Sequence, residues 1–285
     1  MEWIERLNKA IGYIEEHITE EIDYRKVAEI ACCSSYHFQR MFAYLADVPL
    51  SEYIRRRRMS LAVADLQSGN EKIVDIALKY SYSSPTAFNR AFQSVHGIAP
   101  SMVKSDGVSL KSFPPISFKI TIKGVTEMNY RIERKDAFRI VGVAEPLEKE
   151  IEKNFVIVPK MWEKASNNGT VQKLSEMMDS QPMGILGICI GNDQAEDWRY
   201  FIAVASTQEA GDSFEEYSVQ SFTWAIFPGE GQCPAAIQDL EKQIITDWLP
   251  TSGYEYDNGP DIEVYLNADP LKAKFEVWIP VVKKK

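Results

Sequence analysis

The sequence predicts two domains: an all-α domain with two helix-turn-helix units, then an α+β domain that duplicates a strand–helix–strand–strand unit on an antiparallel sheet. Three observations support this prediction. The chain has 285 residues, and at roughly 100–200 residues per domain two are expected. Apolar residues recur at helical spacing as far as Pro100 and alternate along strands after it. The order of elements after residue 128 also repeats. The predicted boundaries are 1–106 for the helical domain, 107–127 for a linker and strand, and 128–285 for the second domain.

Composition excludes several classes of protein. Hydrophobic residues make up 45% and charged residues 26% of the chain, as in ordinary globular proteins, and no apolar run reaches the roughly 18 residues of a membrane span. We therefore expect no membrane partner. The N-terminus is acidic and amphipathic, unlike a signal peptide, so we expect a cytoplasmic location. Four cysteines without a CxxC pair and three histidines argue against a zinc site, and we predict no metal and no cofactor.

The formal charge of −9 is unevenly distributed. Residues 1–106 carry 13 basic and 14 acidic side chains, whereas residues 107–285 carry 19 basic and 27 acidic ones. Within the first part, residues 24–104 hold 11 basic against 6 acidic side chains. A locally basic surface can bind phosphates even in an acidic protein, and the acidic second part weakly favours cationic ligands.

Six helices are predicted in the first domain. They cover residues 4–18, 24–32, 35–46, 50–67, 73–80 and 85–96. Ser34 or Ser35 is the expected N-cap of the third helix and Ser84 that of the sixth, because a serine oxygen accepts an unpaired backbone N–H. Pro85 suits the first position of the sixth helix, and Gly97 is its predicted end.

Two helix-turn-helix patterns repeat, VAEIACCSSYHFQRMFAYL and VDIALKYSYSSPTAFNRAF. Each contains Phe-x-Arg-x-Phe after a serine-containing turn, with Arg40 in the first and Arg90 in the second. Two phenylalanines four residues apart share a face and are expected in the core, while the arginine between them points outward. A recognition helix needs this split, because apolar residues anchor it and polar residues near its N-terminal end reach the bases.

The helix between the two units sets the distance between them. It has about 18 residues, so at roughly 1.5 Å per residue it is about 27 Å long. With its flanking turns it approaches the roughly 34 Å that separates successive major-groove faces. One chain is therefore predicted to read two adjacent groove segments of double-stranded DNA.

Residues 5–106 resemble the DNA-binding domain of AraC/XylS-type transcription regulators. The closing segment FNRAFQSVHGIAPSMVK matches that family's F-x-R-x-F-x4-G-x2-P signature. The resemblance implies promoter DNA and RNA polymerase as partners. It also implies DNA contacts from Tyr36, His37, Gln39, Arg40, Thr86, Asn89 and Arg90.

Some positions depart from the family pattern. The family usually has Gly-Phe where this chain has Ser81-Tyr82, and often a glycine where it has Cys32. Pro85, Thr86 and Ala87 offer little for base readout, so the second recognition helix is expected to contact mostly the DNA backbone.

The second domain repeats the order strand, helix, strand, strand. The first copy is predicted at 128–144, 155–166, 183–191 and 198–206, and the second at 217–228, 234–249, 261–267 and 274–282. Helices layered on an antiparallel sheet are the expected arrangement. A duplicated unit leaves a seam between its copies, a common place for a ligand.

A candidate ligand site follows from the alternation in residues 261–267. If the aliphatic set that includes Ile262 and Val264 meets the helices, Glu263 and Tyr265 face the open side together. A carboxylate among aromatic rings suits a lipophilic cation, and a solvated strand carboxylate is the alternative interpretation of Glu263. Pocket lining and plain core remain equally open for Trp198, Tyr200 and Trp224, whereas Trp162 and Trp248 are interpreted as core.

Residues 128–283 resemble the GyrI-like (BmrR/Rob-type) effector-binding fold of multidrug-responsive regulators. The strings WAIFPGEG, DWLPTSGYEYDNGPDIEVY and FEVWIPV carry this resemblance. It implies a pocket for a small hydrophobic effector, with a cation favoured by the charge of the domain. The candidate effector-binding residues are Glu263, Tyr265, Trp278, Trp224, Tyr200 and Trp198.

The predicted function is therefore a transcription regulator controlled by a small molecule, with no catalytic residues. Two alternatives stay open. Some GyrI-like domains resemble hydrolases, and here Glu263 would be the base and Tyr265 the proton donor, although no nucleophile–base pair with recognisable spacing is visible. The other alternative is an acidic module that binds and inhibits an enzyme.

Overall fold

The computed structural model describes residues 2–119, 127–192 and 197–284. Its contacts divide the chain into two compact units, Met1–Cys32 with Ala46–Lys119 and Cys33–Leu45 with Ile120–Lys285. This division differs from a simple cut between residues 106 and 128, because the third helix packs with the C-terminal part of the chain. Among the described residues, no helix combines the length and the apolar character that crossing a membrane requires.

The six predicted helices are confirmed. They are α1 Glu2–Glu16, α2 Tyr24–Ala31, α3 Ser35–Ala46, α4 Leu50–Ser68, α5 Ile73–Lys79 and α6 Pro85–His96. The Ser84 hydroxyl accepts the backbone N–H of Ala87 at 3.1 Å, and Ser34 does the same for His37 at 3.2 Å. Both serines therefore satisfy a donor that the first helical turn leaves free. Gly97 ends α6 in the left-handed conformation, with φ of 78°.

Two turn residues occupy positions where the resembling family has glycine. Cys32 has φ of 58° and Ser81 has φ of 61°, both in the left-handed region. That conformation costs an L-residue roughly 1–2 kcal/mol relative to glycine. Both turns thus adopt the left-handed conformation that glycine allows, although their side chains disfavour it.

The first part of the predicted linker is hydrogen-bonded to the helical unit. Residues 108–119 form neither helix nor strand, and helix side chains satisfy their backbone groups. The N–H of Phe113 donates to Ser60 Oγ at 2.9 Å, and Asn8 makes two bonds with the backbone of Phe118, at 2.8 and 3.0 Å. The later part of the predicted strand, residues 120–126, lies outside the described residues.

His96 ties this segment to the helices. Its Nδ1 accepts the backbone N–H of Lys111 at 3.2 Å, and its Nε2 lies 3.2 Å from the carbonyl oxygen of Met59. The two bonds require a neutral ring that is protonated on Nε2. Burial lowers the pKa of His96, and Lys111 acts in the same direction while the Met59 carbonyl opposes them.

We expect the His96 contacts to be lost in acid. Because the folded-state pKa is depressed, the neutral ring contributes stability above the ordinary histidine pKa, and this stability is lost as pH falls through the lowered value. In His96→Gln the neutral amide can make both bonds at any pH. The melting temperature of the variant should fall less than that of the wild type between about pH 8 and about pH 5, measured by circular dichroism. Parallel curves for the two proteins would contradict this assignment.

The second unit contains the sheet and its helices. In chain order they are β1 Arg131–Lys135, β2 Phe138–Pro146, α7 Ile151–Asn167, α8 Thr170–Met177, β3 Ile185–Asn192, β4 Asp197–Ala205, β5 Glu215–Val219, β6 Phe222–Gly231, α9 Ala235–Gln243, a π-helical turn Ile244–Trp248, α10 Leu249–Thr251, β7 Tyr254–Tyr256, β8 Asp261–Tyr265 and β9 Ala273–Lys283. The predicted α+β architecture is confirmed. Each predicted first strand is two strands in the structure.

The strand order reveals the duplication. Across the described residues it runs β1-β6-β9-β8-β3-β4-β2-β5, with every neighbouring pair antiparallel and β7 added beside β9. Reversing this order exchanges the two copies, so an approximate twofold axis passes between β8 and β3. The seam predicted between the copies is therefore the β3–β8 pair, where Gly187 lies opposite Glu263.

The two faces of the sheet differ in what they pack against. On one face Ile262 and Val264 join an apolar cluster with Trp224 and Trp278. On the other face Tyr200 and its strand neighbours pack against α7 and α8. Cross-strand pairing sets Glu263 on this helix-covered face. The expectation that Ile262 and Val264 meet the helices was wrong. Both side chains lie on the other face of the sheet, which has an apolar cluster of its own.

Candidate functional site

A cavity of about 760 Å³ lies on the helix-covered face of the second unit. Its floor is the β3–β8 seam, and α7, α9 and α3 contribute to its walls. The α7 side chains that line it, among them Phe155, Val158 and Trp162, are spaced by three and four residues and form one helical face. The site is therefore mainly apolar, with a few polar groups on its floor.

Glu263 is the carboxylate at the seam. It accepts hydrogen bonds from the hydroxyls of Tyr265 at 2.8 Å and Tyr200 at 3.2 Å. Gly187 makes this arrangement possible, because a Cβ at that position would lie 2.2 Å from the Tyr200 hydroxyl and 2.9 Å from Glu263 Oε2. The absence of a side chain on β3 thus leaves room for the carboxylate and its donors.

The electrostatics of this group follow from its burial. Burial raises the pKa of Glu263, while Arg40 and the two tyrosine hydroxyls oppose the shift. Burial also raises the pKa values of Tyr200 and Tyr265, so both remain neutral hydrogen-bond donors. A cation that enters the cavity would find a carboxylate with little water around it, where charge pairing is stronger than at a surface.

Trp162 lines this cavity, although the sequence predicts that it lies in the hydrophobic core. Its Nε1 donates to the Tyr200 hydroxyl at 3.0 Å, and its ring centroid lies 4.8 Å from that of Tyr265. The spacing of Phe155, Val158 and Trp162 marks a helical face in the sequence. That pattern alone does not say whether the face meets a core or a cavity. Trp248, by contrast, packs against other aromatic rings as expected for core.

Three predicted effector-binding tryptophans do not line this cavity. Trp224 and Trp278 belong to the apolar cluster on the opposite face, because Ile262 and not Glu263 pairs with Trp278. Trp198 is buried, and its ring meets that of Tyr36 edge-on at 5.3 Å. The position of Trp224 and Trp278 follows from strand register, because a register shift of one residue moves a side chain to the other face of the sheet.

A second set of carboxylates binds Arg40 of α3. The Arg40 guanidinium lies 2.5 Å from Glu241 Oε1 and 3.3 Å from Asp261 Oδ2. The hydroxyl of Tyr44 donates to Glu241 at 2.7 Å, and that of Tyr256 donates to Asp261 at 2.5 Å. Arg40, Glu241 and Asp261 are all buried, and all three line the cavity.

Arg40 influences how these carboxylates ionise. Burial raises the pKa of Glu241 to about 7, and Arg40 acts in the opposite direction. At Asp261 burial is outweighed by Arg40, His37 and Tyr256, and the pKa is lowered. The negative charge at this end of the cavity therefore depends on the arginine from α3.

The predicted DNA-contacting residues fall into two groups. On α6, Thr86 and Arg90 are exposed and Asn89 is half-buried. On α3, His37, Gln39 and Arg40 are buried. The Gln39 side-chain amide donates to the carbonyl oxygen of Lys149 at 2.9 Å, His37 Nδ1 lies 3.7 Å from Asp261, and Tyr36 lines the cavity. In this conformation the α3 side chains that are predicted to contact DNA instead contact other residues of the second unit.

The match to known families decides the identity of the chain. Residues 128–282 match the model of the GyrI-like small molecule binding domain, and residues 27–105 match a helix-turn-helix domain. The chain belongs to the GyrI-like family. Its helical part is an AraC-type DNA-binding region, so the protein is a DNA-binding transcription regulator with a small-molecule-binding domain.

Similar proteins and structures cover different parts of the chain. The transcriptional activator AarP of Providencia stuartii is 35% identical over 98 residues, which are 34% of this chain and 73% of AarP. The right origin-binding protein of Escherichia coli is 22% identical over 291 residues, covering 94% of this chain and 95% of its own. A structure of SAV2435 bound to tetraphenylphosphonium has 22% identity and a TM-score of 0.48, covering 54% of this chain and 94% of that one.

Proposed function

We propose that the effector of this regulator is a small hydrophobic monocation that pairs with Glu263. The observation that carries the proposal is a half-buried carboxylate on the floor of an apolar cavity, hydrogen-bonded by neutral tyrosine hydroxyls. An unpaired carboxylate in such surroundings is costly, and a cation with apolar substituents offsets that cost while filling the cavity.

The charge of the cavity supports a cation over an anion. Among the described residues that line it, five are acidic and one, Arg40, is basic. Aromatic rings of Trp162, Tyr200 and Tyr265 are available to the same ligand, and ring faces attract cations.

Titration of the full chain with tetraphenylphosphonium tests the proposal. Trp162 lines the cavity, so binding should quench tryptophan emission, and Trp162→Phe should remove most of that change. A neutral aryl compound such as triphenylphosphine oxide should bind much more weakly. Equal binding of the charged and neutral compounds, or binding of neither, would refute a cationic effector.

For the DNA-binding region we propose contacts from both recognition helices, with Tyr36, His37, Gln39 and Arg40 on α3 and Thr86, Asn89 and Arg90 on α6. Promoter DNA is the proposed target and RNA polymerase the proposed partner at the promoter. The exposed α6 residues support the second contact. The α3 residues require that the helix leave the buried position described above.

We expect the two arginines to differ in what they contribute. Duplexes selected from a random-sequence pool should share a motif, and Arg40→Ala should lower discrimination between motif and mutated motif by roughly 1–3 kcal/mol, the value of a good bidentate base contact. Arg90→Ala should weaken binding more evenly across sequences and reduce its salt dependence, as loss of a phosphate contact does. A larger loss of specificity in Arg90→Ala would reverse the assignment.

A further inference from the structure

We propose that Arg40 is a built-in competitor of the cationic effector, and that effector binding releases α3 from the cavity so that the helix can contact DNA. This inference rests on the proposed function, because it assumes a cation at Glu263. It adds a mechanism by which the cavity controls the DNA-binding region.

Arg40 stands in the Phe-x-Arg-x-Phe motif of the first recognition helix, yet its guanidinium lies between Glu241 and Asp261. One guanidinium cannot pair with these buried carboxylates and with a guanine at the same time. Docking of α3 and base readout by Arg40 therefore exclude each other.

The predicted DNA-contacting residues of α3 are docked as a group. Tyr36, Gln39 and Arg40 each contact a residue of the second unit outside α3. The Tyr44 hydroxyl, one turn after Arg40, donates to the same Glu241 carboxylate. Release of α3 would free its DNA-contacting residues together.

The cavity holds Glu241, Asp261 and Glu263 and, in its described part, a single basic side chain that lines it. Arg40 acts electrostatically on Glu263 as well as on its own two partners. A second cation at Glu263 would repel the guanidinium in surroundings that screen charge poorly, so each cation weakens the hold on the other.

The docked arginine is also incompletely satisfied. Within the described residues, Arg40 Nε is a buried donor that has no hydrogen-bond partner. A buried donor without an acceptor opposes docking. The two ion pairs of Arg40 offset this cost in the docked state, and a competing cation can weaken them.

Thermodynamic linkage follows from this arrangement. A ligand that binds better when α3 is released shifts the population toward the released state. DNA, which needs the released helix, must then raise the affinity for the cation by the same factor as the cation raises the affinity for DNA.

Hydrogen exchange of the full wild-type chain tests the release directly. Amides of residues 36–46 should be protected in the free protein, and saturating tetraphenylphosphonium should speed their exchange about tenfold, within the usual range of coupling between sites. Amides of α6 provide the internal control and should not change. This measurement needs no variant that removes a buried ion pair.

Arg40→Gln gives the reciprocal measurement, with the exposed Arg90→Gln as its matched control. Without the competing guanidinium, tetraphenylphosphonium should bind about tenfold more tightly, measured at about pH 9, because loss of Arg40 removes an interaction that lowers the pKa values of Glu241 and Glu263. Arg90→Gln should bind it as the wild type does.

The outcomes separate the two proposals. Faster α3 exchange on binding and tighter binding by Arg40→Gln support competition. Binding that leaves α3 exchange unchanged overturns competition while the cationic effector stands, even if Arg40→Gln proves unstable. Failure of tetraphenylphosphonium to bind the wild type and both variants overturns competition and the proposed function together.

Discussion

Glu263→Gln is expected to weaken binding of tetraphenylphosphonium by about 10- to 100-fold, because two unit charges roughly 5–6 Å apart at an effective dielectric of about 20 attract each other by about 3 kcal/mol. The amide has nearly the same size as the carboxylate, so the cavity should keep its shape. Binding of triphenylphosphine oxide should change little. The melting temperature should hold or rise, because burial of the Glu263 carboxylate raises its pKa and opposes folding in the charged form.

Glu276→Gln is the matched control. Glu276 also lies on a strand of the sheet, but it accepts the Trp278 Nε1–H at 2.8 Å and pairs with Arg131 away from the cavity. Its replacement should leave cation binding unchanged. An equal loss of both ligands in Glu263→Gln would show that the residue only shapes the cavity, and no loss of either would remove it from the site.

The same carboxylate predicts a pH dependence. Since the pKa of Glu263 is raised, acidification should protonate it within a range where an exposed glutamate stays charged. Affinity for the cation should therefore fall as pH falls, and the fall should be smaller in Glu263→Gln. Some dependence should remain in the variant, because burial raises the pKa of Glu241 to about 7.

Gly187→Ala is expected to weaken cation binding almost as much as Glu263→Gln does. The added methyl group would lie 2.2 Å from the Tyr200 hydroxyl and 2.9 Å from Glu263 Oε2, so both must move. Overpacking of this kind typically costs about 1–3 kcal/mol of stability. The displaced Tyr200 hydroxyl would lose its bonds with Glu263 and Trp162. Calorimetric titration and thermal unfolding of the same protein would measure both effects.

Gly253→Ala controls for the general effect of replacing a glycine. An added Cβ there meets no atom within 4 Å, and neither stability nor binding should change appreciably. If Gly187→Ala bound the cation normally, the close approach of β3 to Glu263 and Tyr200 would have no role in the site.

Helix α3 shows how one segment can match two partners. The family model places it inside the helix-turn-helix region, while the contacts of the chain group Cys33–Leu45 with the C-terminal unit. Its polar side chains, which suit bases and phosphates, also suit the buried carboxylates Glu241 and Asp261. The same arginine chemistry, a planar fork that binds anions, serves both partners.

Local signals in the sequence were enough to determine the helices, most of the strands and the family. Helix ends at Ser34, Ser84 and Gly97 depend on neighbours a few residues away, and such short-range effects can be recognised in sequence. Glu263 and Tyr265 were identified as a pair in the same way, because alternate residues of a strand share a face.

Only the tertiary structure decided which face of the sheet carries the cavity. Trp224 and Trp278 resemble pocket residues in the sequence. Strand register, including that of β8 against β9, sets both on the face of the sheet that does not carry Glu263. Trp162 and Arg40 enter the cavity from helices far away in the chain. Strand register and the docking of distant helices depend on long-range packing. The contact of buried Arg40 with Glu241, which lies 201 residues later in the chain, can therefore be recognised only in the folded structure.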